Sequence, residues 1–195
     1  CSAQARKVWE PETTPLAPEV TVGIMGMGVL GRACAGALRG MGYNVIGWSR
    51  TPKEFDEVQN FDGLEGLEKF LPRTQVLICL LPLTAETEGI LGRGTFNRLP
   101  AGAAVINVGR GGHLVEDELL GALDKGKVEV AVLDVFNEEP LPVDHPLWDH
   151  PRVFLTPHLA SVTTPESAII SVAEAVNELR KGLPLTNLVD TKLGY

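Results

Sequence analysis

Three polar residues of the kinds that move protons and hold anions fall just past apolar runs in the second half of the chain. Arg110 sits in Asn107-Val108-Gly109-Arg110-Gly111-Gly112, after the run 103–108. Glu139 lies in Asp134-Val135-Phe136-Asn137-Glu138-Glu139-Pro140, after 128–135, and His158 follows Thr156-Pro157, after 153–155. A guanidinium can hold a carboxylate bidentately. An imidazole can hand a proton to a carbonyl oxygen as hydride reaches its carbon, and a carboxylate can orient and charge that imidazole. Together in one crevice, the three suit reduction of a 2-oxo acid. Singly, Arg110 can equally bind a phosphate, Glu139 can sit in a solvated acidic turn, and His158 can be a buried, hydrogen-bonded histidine.

A second group of residues points to a dinucleotide. Gly26-Met27-Gly28-Val29-Leu30-Gly31 fits G-x-G-x-x-G, a weak pattern alone in a chain with 21 glycines. Here it follows an apolar run at 20–25 and opens a helical stripe at 29–41, the context that gives it meaning. The first glycine makes the tight turn, the second admits a pyrophosphate, and the third lets helix and strand approach. The helix N-terminus supplies N–H donors and partial positive charge. The competing reading is a plain βα turn. About 20 residues further on, NAD-binding versions carry an acid for the ribose 2′-hydroxyl. This chain has Trp48-Ser49-Arg50-Thr51 there, with Lys53 close behind. A carboxylate would repel a 2′-phosphate, whereas Arg50 can grip one through a charge-assisted bond. Such a bond is worth about 1.5–3 kcal/mol, a ten- to hundredfold preference. NADP(H) is therefore expected ahead of NAD(H), against the alternative that Arg50 is a solvated surface residue.

The elements that must position these groups alternate. Strands are expected at 20–25, 44–48, 75–80, 103–108, 128–135 and 153–155. Helices are expected at 29–41, 64–71, 115–125 and 164–181, with short helical pieces over 86–99. The strands are near-continuous Val/Ile/Leu runs, as when helices cover both sheet faces. That pattern means an α/β fold, a doubly wound parallel sheet whose carboxyl ends line one crevice. Helix 115–125 has Glu116, Asp117 and Glu118 in its first turn and Lys125 late, matching the helix dipole. The last helix opens either with a Thr163-x-x-Glu166 capping box or with Thr164 as cap and Pro165 at the first position. Residues 1–19 carry three prolines and read as a helix end and linker.

The 195 residues carry 17 Lys+Arg against 25 Asp+Glu, a formal charge of −8. That balance argues against non-specific nucleic-acid binding. The longest apolar run, 76–81, is far short of the ~20 residues a membrane helix needs. Cys1, Cys34 and Cys79 show no metal-ligand spacing, and the last two read as core residues of a reducing compartment. A cytoplasmic location is expected, with an organellar one left open. His113, His145 and His150 have no spacing that supports a metal site. Trp48, Trp148 and Phe136 read as packing residues.

Five motifs in one order carry a family resemblance. They are Val22-Gly23-Ile24-Met25-Gly26-x-Gly28-x-x-Gly31, Leu81-Pro82-Leu83-Thr84-x-x-Thr87, Asn107-x-x-Arg110-Gly111, Leu133-Asp134-Val135-Phe136-x-x-Glu139-Pro140 and Thr156-Pro157-His158. The chain from about Val20 resembles the nucleotide-binding portion of the D-isomer-specific 2-hydroxyacid dehydrogenases. Trp48-Ser49-Arg50, His113-Leu114-Val115-Glu116-Asp117, His158-Leu159-Ala160-Ser161 and the closing Gly194-Tyr195 are similar to its glyoxylate/hydroxypyruvate reductase branch.

The resemblance implies NADPH-dependent reduction of a small 2-oxo acid by a homodimer. It implies that Arg110 holds the substrate carboxylate and carbonyl, that His158 is the acid/base and that Glu139 is its partner. Leu81, Pro82 and Thr87 would line the adenosine side, and Val108, Gly109 and Arg110 the nicotinamide side, with Asp134 near the carboxamide. It also implies a Rossmann-type domain at 20–160. Residues 1–19 would then be the end of an interdomain helix and linker, and 161–195 a return helix and tail of a discontinuous substrate domain whose main part lies upstream. Two other readings stand beside this one: a dehydrogenase for another D-2-hydroxy acid, such as a phosphoglycerate type, and a dinucleotide-sensing binding protein without catalysis.

Overall fold

The structure is a computed structural model that describes residues 6–9, 14–53, 55, 58–185 and 188. Cys1 and the Gly194-Tyr195 motif lie outside the described residues. Seven strands form one sheet: β1 Thr21–Met25, β2 Asn44–Ser49, β3 Gln59–Asp62, β4 Val76–Cys79, β5 Ala103–Asn107, β6 Val128–Leu133 and β7 Val153–Leu155. The helices are α1 Val29–Gly40, α2 Gly63–Phe70, α3 Arg93–Arg98, α4 Glu116–Asp124 and α5 Pro165–Arg180. All strand pairs are parallel and the order is β3-β2-β1-β4-β5-β6-β7. The order reverses between β1 and β4, which opens a crevice outside their carboxyl ends.

The continuous apolar runs have the expected cause. Val22 and Ile24 of β1, Val45 of β2 and Ile78 of β4 join Ala35 of α1 in a core on one sheet face. Met25, Ile46, Leu77 and Cys79 point the other way, into a core with Phe70, Phe96, Leu119 and Leu123 from α2, α3 and α4. Alternate residues thus go to opposite faces and both faces are covered, so no polar alternation survives. Register places Met25 beside Trp48 and Cys79, which aligns the ends of β1, β2 and β4 at the crevice. Burial pushes the Cys79 thiol up to about 12, so this cysteine is an inert core residue.

Two features differ from the pattern read in sequence, and a third decides between two expected openings. The edge strand β3, Gln59-Asn60-Phe61-Asp62, is too polar and short to register as a strand. It holds its place by pairing with β2 and by packing Phe61 on the core. The apolar stripe of α1 includes Val29 and Leu30, yet both are exposed. They occupy the first helical turn and face the crevice instead of the sheet. Finally, α5 opens with Pro165 at its first position, and the Ala168 N–H donates to the Thr164 carbonyl at 3.0 Å, the second of the two openings anticipated. Its Ile169, Ile170, Val172 and Leu179 are exposed.

Candidate cofactor cleft and catalytic residues

The turn between β1 and α1 is shaped by what glycine leaves out. Gly26 takes φ +103°, and a Cβ there would lie 2.6 Å from the Leu80 carbonyl oxygen. A Cβ at Gly31 would overlap the Gly26 carbonyl, so the helix can close on the strand turn only with glycine. Gly28, by contrast, faces open space. A cavity of about 510 Å³ lies over this cradle, lined by Gly26, Gly28, Val29, Leu30, Gly31, Leu81, Pro82, Val108, Gly109 and Arg110. A second cavity of about 530 Å³ adjoins it through Gly26 and Gly28 and reaches Ser49, Arg50, Lys53, Leu81, Pro82, Thr87 and Glu86. Open space over a helix N-terminus, with cations at the far end, fits a dinucleotide whose pyrophosphate meets the turn.

Not every residue lining this space offers its side chain. Ser49 is buried; its hydroxyl donates to the Thr51 carbonyl at 2.9 Å and accepts from Asn60 Nδ2 at 2.8 Å. Ser49 therefore shapes the turn that presents Arg50. Thr87 is also buried. Its hydroxyl donates to the Pro82 carbonyl at 2.7 Å and accepts the Thr84 N–H at 2.8 Å, stapling the turn after β4. Arg50 and Lys53 remain as the cations at the cavity wall.

On the other side of the crevice, Arg110 begins the loop after β5. Its peptide is held at both ends by buried side chains. Asn107 Nδ2 donates to the Arg110 carbonyl at 3.0 Å, and His113 Nδ1 accepts the Arg110 N–H at 3.1 Å. Burial pushes the His113 pKa down, against the carbonyl of Pro82, which draws it up. The ring is thereby kept as the neutral acceptor this contact requires. The Arg110 guanidinium donates to the Gly109 carbonyl at 2.7 Å and forms no ion pair among the described residues. It is thus available to a ligand carboxylate.

His158 and Glu139 meet directly: Nδ1 lies 2.8 Å from Glu139 Oε2. The other carboxylate oxygen accepts the Phe136 N–H at 2.9 Å, which fixes Glu139 in its own loop. The His158 contact, then the Phe136 N–H, hold the Glu139 carboxyl below its ordinary pKa. With Nδ1 turned to the carboxylate, Nε2 is the ring atom left for a ligand. The pair lines a third cavity, of about 660 Å³, with Phe136, Trp148 and Leu155.

Asp134 lies beneath this pair, lines none of the three cavities and is nearly inaccessible. Its Oδ1 accepts the Thr156 hydroxyl at 2.5 Å and the Leu159 N–H at 2.8 Å, and its Oδ2 accepts the Ala160 N–H at 2.9 Å. The His158 N–H donates to the Asp134 backbone carbonyl at 2.9 Å. His158 has φ +54°, a left-handed conformation that costs free energy for a residue with a Cβ. The Asp134 clamp imposes it. Burial raises the Asp134 pKa, but the Thr156 hydroxyl and the two N–H donors outweigh it and the carboxyl ends below its ordinary value.

Of the residues singled out from sequence, Arg50, Lys53 and Arg110 line the two adjoining cavities of the crevice, and Glu139 and His158 line the third cavity on the same carboxyl-end side of the sheet. The glycines, Val29, Leu30, Leu81, Pro82 and Val108 form the crevice walls. Asn107, His113 and Thr156 stand in the recognised motifs, yet their positioning roles emerge only from the contacts. Glu86 carried no signal at all. His145 and His150 each face a separate carboxylate, Glu116 at 3.4 Å and Asp124 at 3.6 Å. Among the described residues no group of three or more metal-ligating side chains converges, and no helix is long and apolar enough to cross a membrane.

Comparison with known proteins agrees with this geometry. Residues 2–160 match the family described as D-isomer specific 2-hydroxyacid dehydrogenase, NAD binding domain. Glyoxylate/hydroxypyruvate reductase A of Yersinia enterocolitica is 47% identical over 192 residues, covering 98% of this chain and 61% of that protein. The chain therefore spans about three-fifths of the length of the curated relatives it matches. A probable 2-hydroxyacid dehydrogenase from Rhizobium etli, solved with NADP, superposes with a TM-score of 0.93 at 40% identity over 100% of this chain and 62% of that one. An NADPH-dependent glyoxylate/hydroxypyruvate reductase from Sinorhizobium meliloti, solved with NADP and sulfate, gives 0.92 at 41% identity, covering 100% and 63%. The chain belongs to the D-isomer-specific 2-hydroxyacid dehydrogenase family and carries its Rossmann-type NAD-binding domain.

Proposed function

We propose that this chain is the cofactor-binding and proton-donating part of an NADPH-dependent reductase of small 2-oxo acids, acting on glyoxylate and hydroxypyruvate. The observation that carries the reading is the His158–Glu139 contact of 2.8 Å, on the same sheet edge as an open glycine cradle and the Arg50 and Lys53 cations. The names and ligands of the similar proteins support the same substrates and cofactor.

In this reading Arg50 holds the 2′-phosphate and the turn Gly26–Gly31 receives the pyrophosphate. NADPH, when bound there, would supply the hydride that the substrate carbonyl carbon accepts. Arg110 pairs with the substrate carboxylate and fixes which face of the carbonyl is presented. His158 gives its Nε2 proton to the carbonyl oxygen as negative charge develops there. Glu139 holds the Nδ1–H, so that the ring can carry a second proton on the correct nitrogen. Asp134 keeps the His158 turn in place, and Val29 and Leu30 close the crevice with apolar surface. The reading extends to a cytoplasmic homodimer, checked by fractionation and light scattering.

The experiment follows cofactor absorbance with glyoxylate, hydroxypyruvate and phosphohydroxypyruvate, each with NADPH and NADH, for the protein that carries this chain. NADPH-supported reduction of the first two is expected. Preference for phosphohydroxypyruvate with NADH would replace the substrate assignment, and cofactor binding without any turnover would replace the reductase by a binding protein.

A further inference from the structure

Glu86 falls at an unspecified position of the Leu81–Thr87 motif, yet it meets Arg50, the residue read as the ligand of a 2′-phosphate. The Arg50 guanidinium donates from Nη1 to Glu86 Oε2 at 2.8 Å, with side chains 35% and 64% exposed respectively. Arg50 follows β2, whereas Glu86 sits in the turn after β4, so the pair spans the reversal point of the sheet. Both residues line the same cavity with Ser49 and Lys53. Neither side of the contact is loosely held at its base. Ser49 braces the Arg50 turn through Thr51 and Asn60. The Glu86 turn is stapled by Thr87 and by the Glu88 N–H, which donates to the Thr84 carbonyl at 2.9 Å.

We propose that Glu86 competes with the cofactor 2′-phosphate for Arg50 and so sets how strongly the domain prefers NADP(H) over NAD(H). The inference rests on the reading of Arg50 as the phosphate ligand. A dianionic phosphate and a carboxylate drawn to one guanidinium repel each other, so the ion pair must loosen when a 2′-phosphate enters. A 2′-hydroxyl carries no charge and can sit beside the closed, neutralised pair. Glu86 therefore weakens NADPH binding selectively and leaves NADH nearly untouched. Exposed ion pairs are worth up to about a fivefold change in an equilibrium, which bounds the effect.

The test is a fluorescence titration of the full chain with NADPH and with NADH, in wild type, Glu86→Gln, Arg50→Gln and the double variant. Glu86→Gln should tighten NADPH by about two- to fivefold and leave NADH unchanged within error, and the gain should vanish in the Arg50→Gln background. Unchanged or weaker NADPH binding in Glu86→Gln would overturn the inference. So would an equal gain without Arg50, which would mark a general charge effect. An unaltered NADPH-to-NADH ratio in Arg50→Gln would overturn the reading of Arg50 and this inference with it. A collapsed ratio in Arg50→Gln beside an inert Glu86→Gln would overturn the inference alone. Both side chains lie at the surface, and a matching thermal midpoint establishes that each variant is folded.

Discussion

The two halves of the crevice are built by opposite means. On the β1–β2 side the shape comes from missing atoms: Gly26 and Gly31 let backbone meet backbone, and Gly28 leaves space for a ligand. The charges there, Arg50, Lys53 and Glu86, sit at the surface on braced turns. On the β5–β6–β7 side the shape comes from buried polar atoms. Asn107 and His113 pin the Arg110 peptide, and Asp134 pins the turn that carries His158. Cofactor affinity thus depends on sterics and exposed charge. In the proposed reaction, proton transfer rests on the hydrogen-bonded scaffold around His158.

Gly31 is the position where the glycine half tolerates least. An Ala there places a methyl group on the Gly26 carbonyl, and we expect a loss of about 3 kcal/mol in denaturant unfolding together with loss of cofactor binding. Asp134→Ala attacks the other half by leaving a hydroxyl and two N–H groups without their acceptor. The expected cost is about 2 kcal/mol, with NADPH affinity far less affected. Gly28→Ala sharpens the contrast. Its Cβ meets no protein atom, so the unfolding midpoint should stay put while NADPH binding falls about tenfold, or about 1.4 kcal/mol.

The smallest effect concerns pH. Asp134 and Glu139 have folded pKa values below their ordinary ones, so each binds a proton less readily in the folded than in the unfolded chain. Their contribution is complete above the ordinary carboxyl range and is lost as pH falls through the depressed folded values. Stability measured against pH should therefore decline on the acid side, and the Asp134→Asn variant should decline less steeply. A variant with the wild-type slope would remove Asp134 from that linkage.

Sequence made the sheet legible because both of its faces are buried. Val22, Ile24, Ile46, Leu77 and Ile78 leave a continuous apolar trace whichever face each one serves. The edge strand β3 left no such trace, since pairing with β2 supplies what its side chains do not. The placement of Arg110, Glu139 and His158 after strand ends was legible from the apolar runs that precede them. The roles of Asp134, Asn107 and His113 were not, because a buried acceptor is recognised by the donors that fold onto it. For Asp134 those donors lie more than twenty residues away in sequence. Glu86 was illegible for a related reason: its partner Arg50 is 36 positions distant and belongs to another element.

If one half of the crevice governs cofactor affinity and the other the chemical step, His158→Ala separates the two. NADPH affinity and glyoxylate-dependent NADPH oxidation would be measured on the same preparation of the protein that carries this chain, in wild type and variant. Affinity within about twofold of wild type, with turnover reduced a hundredfold or more, is the predicted result. A variant that oxidises NADPH with glyoxylate at the wild-type rate would remove the His158–Glu139 pair from the reaction and contradict the account.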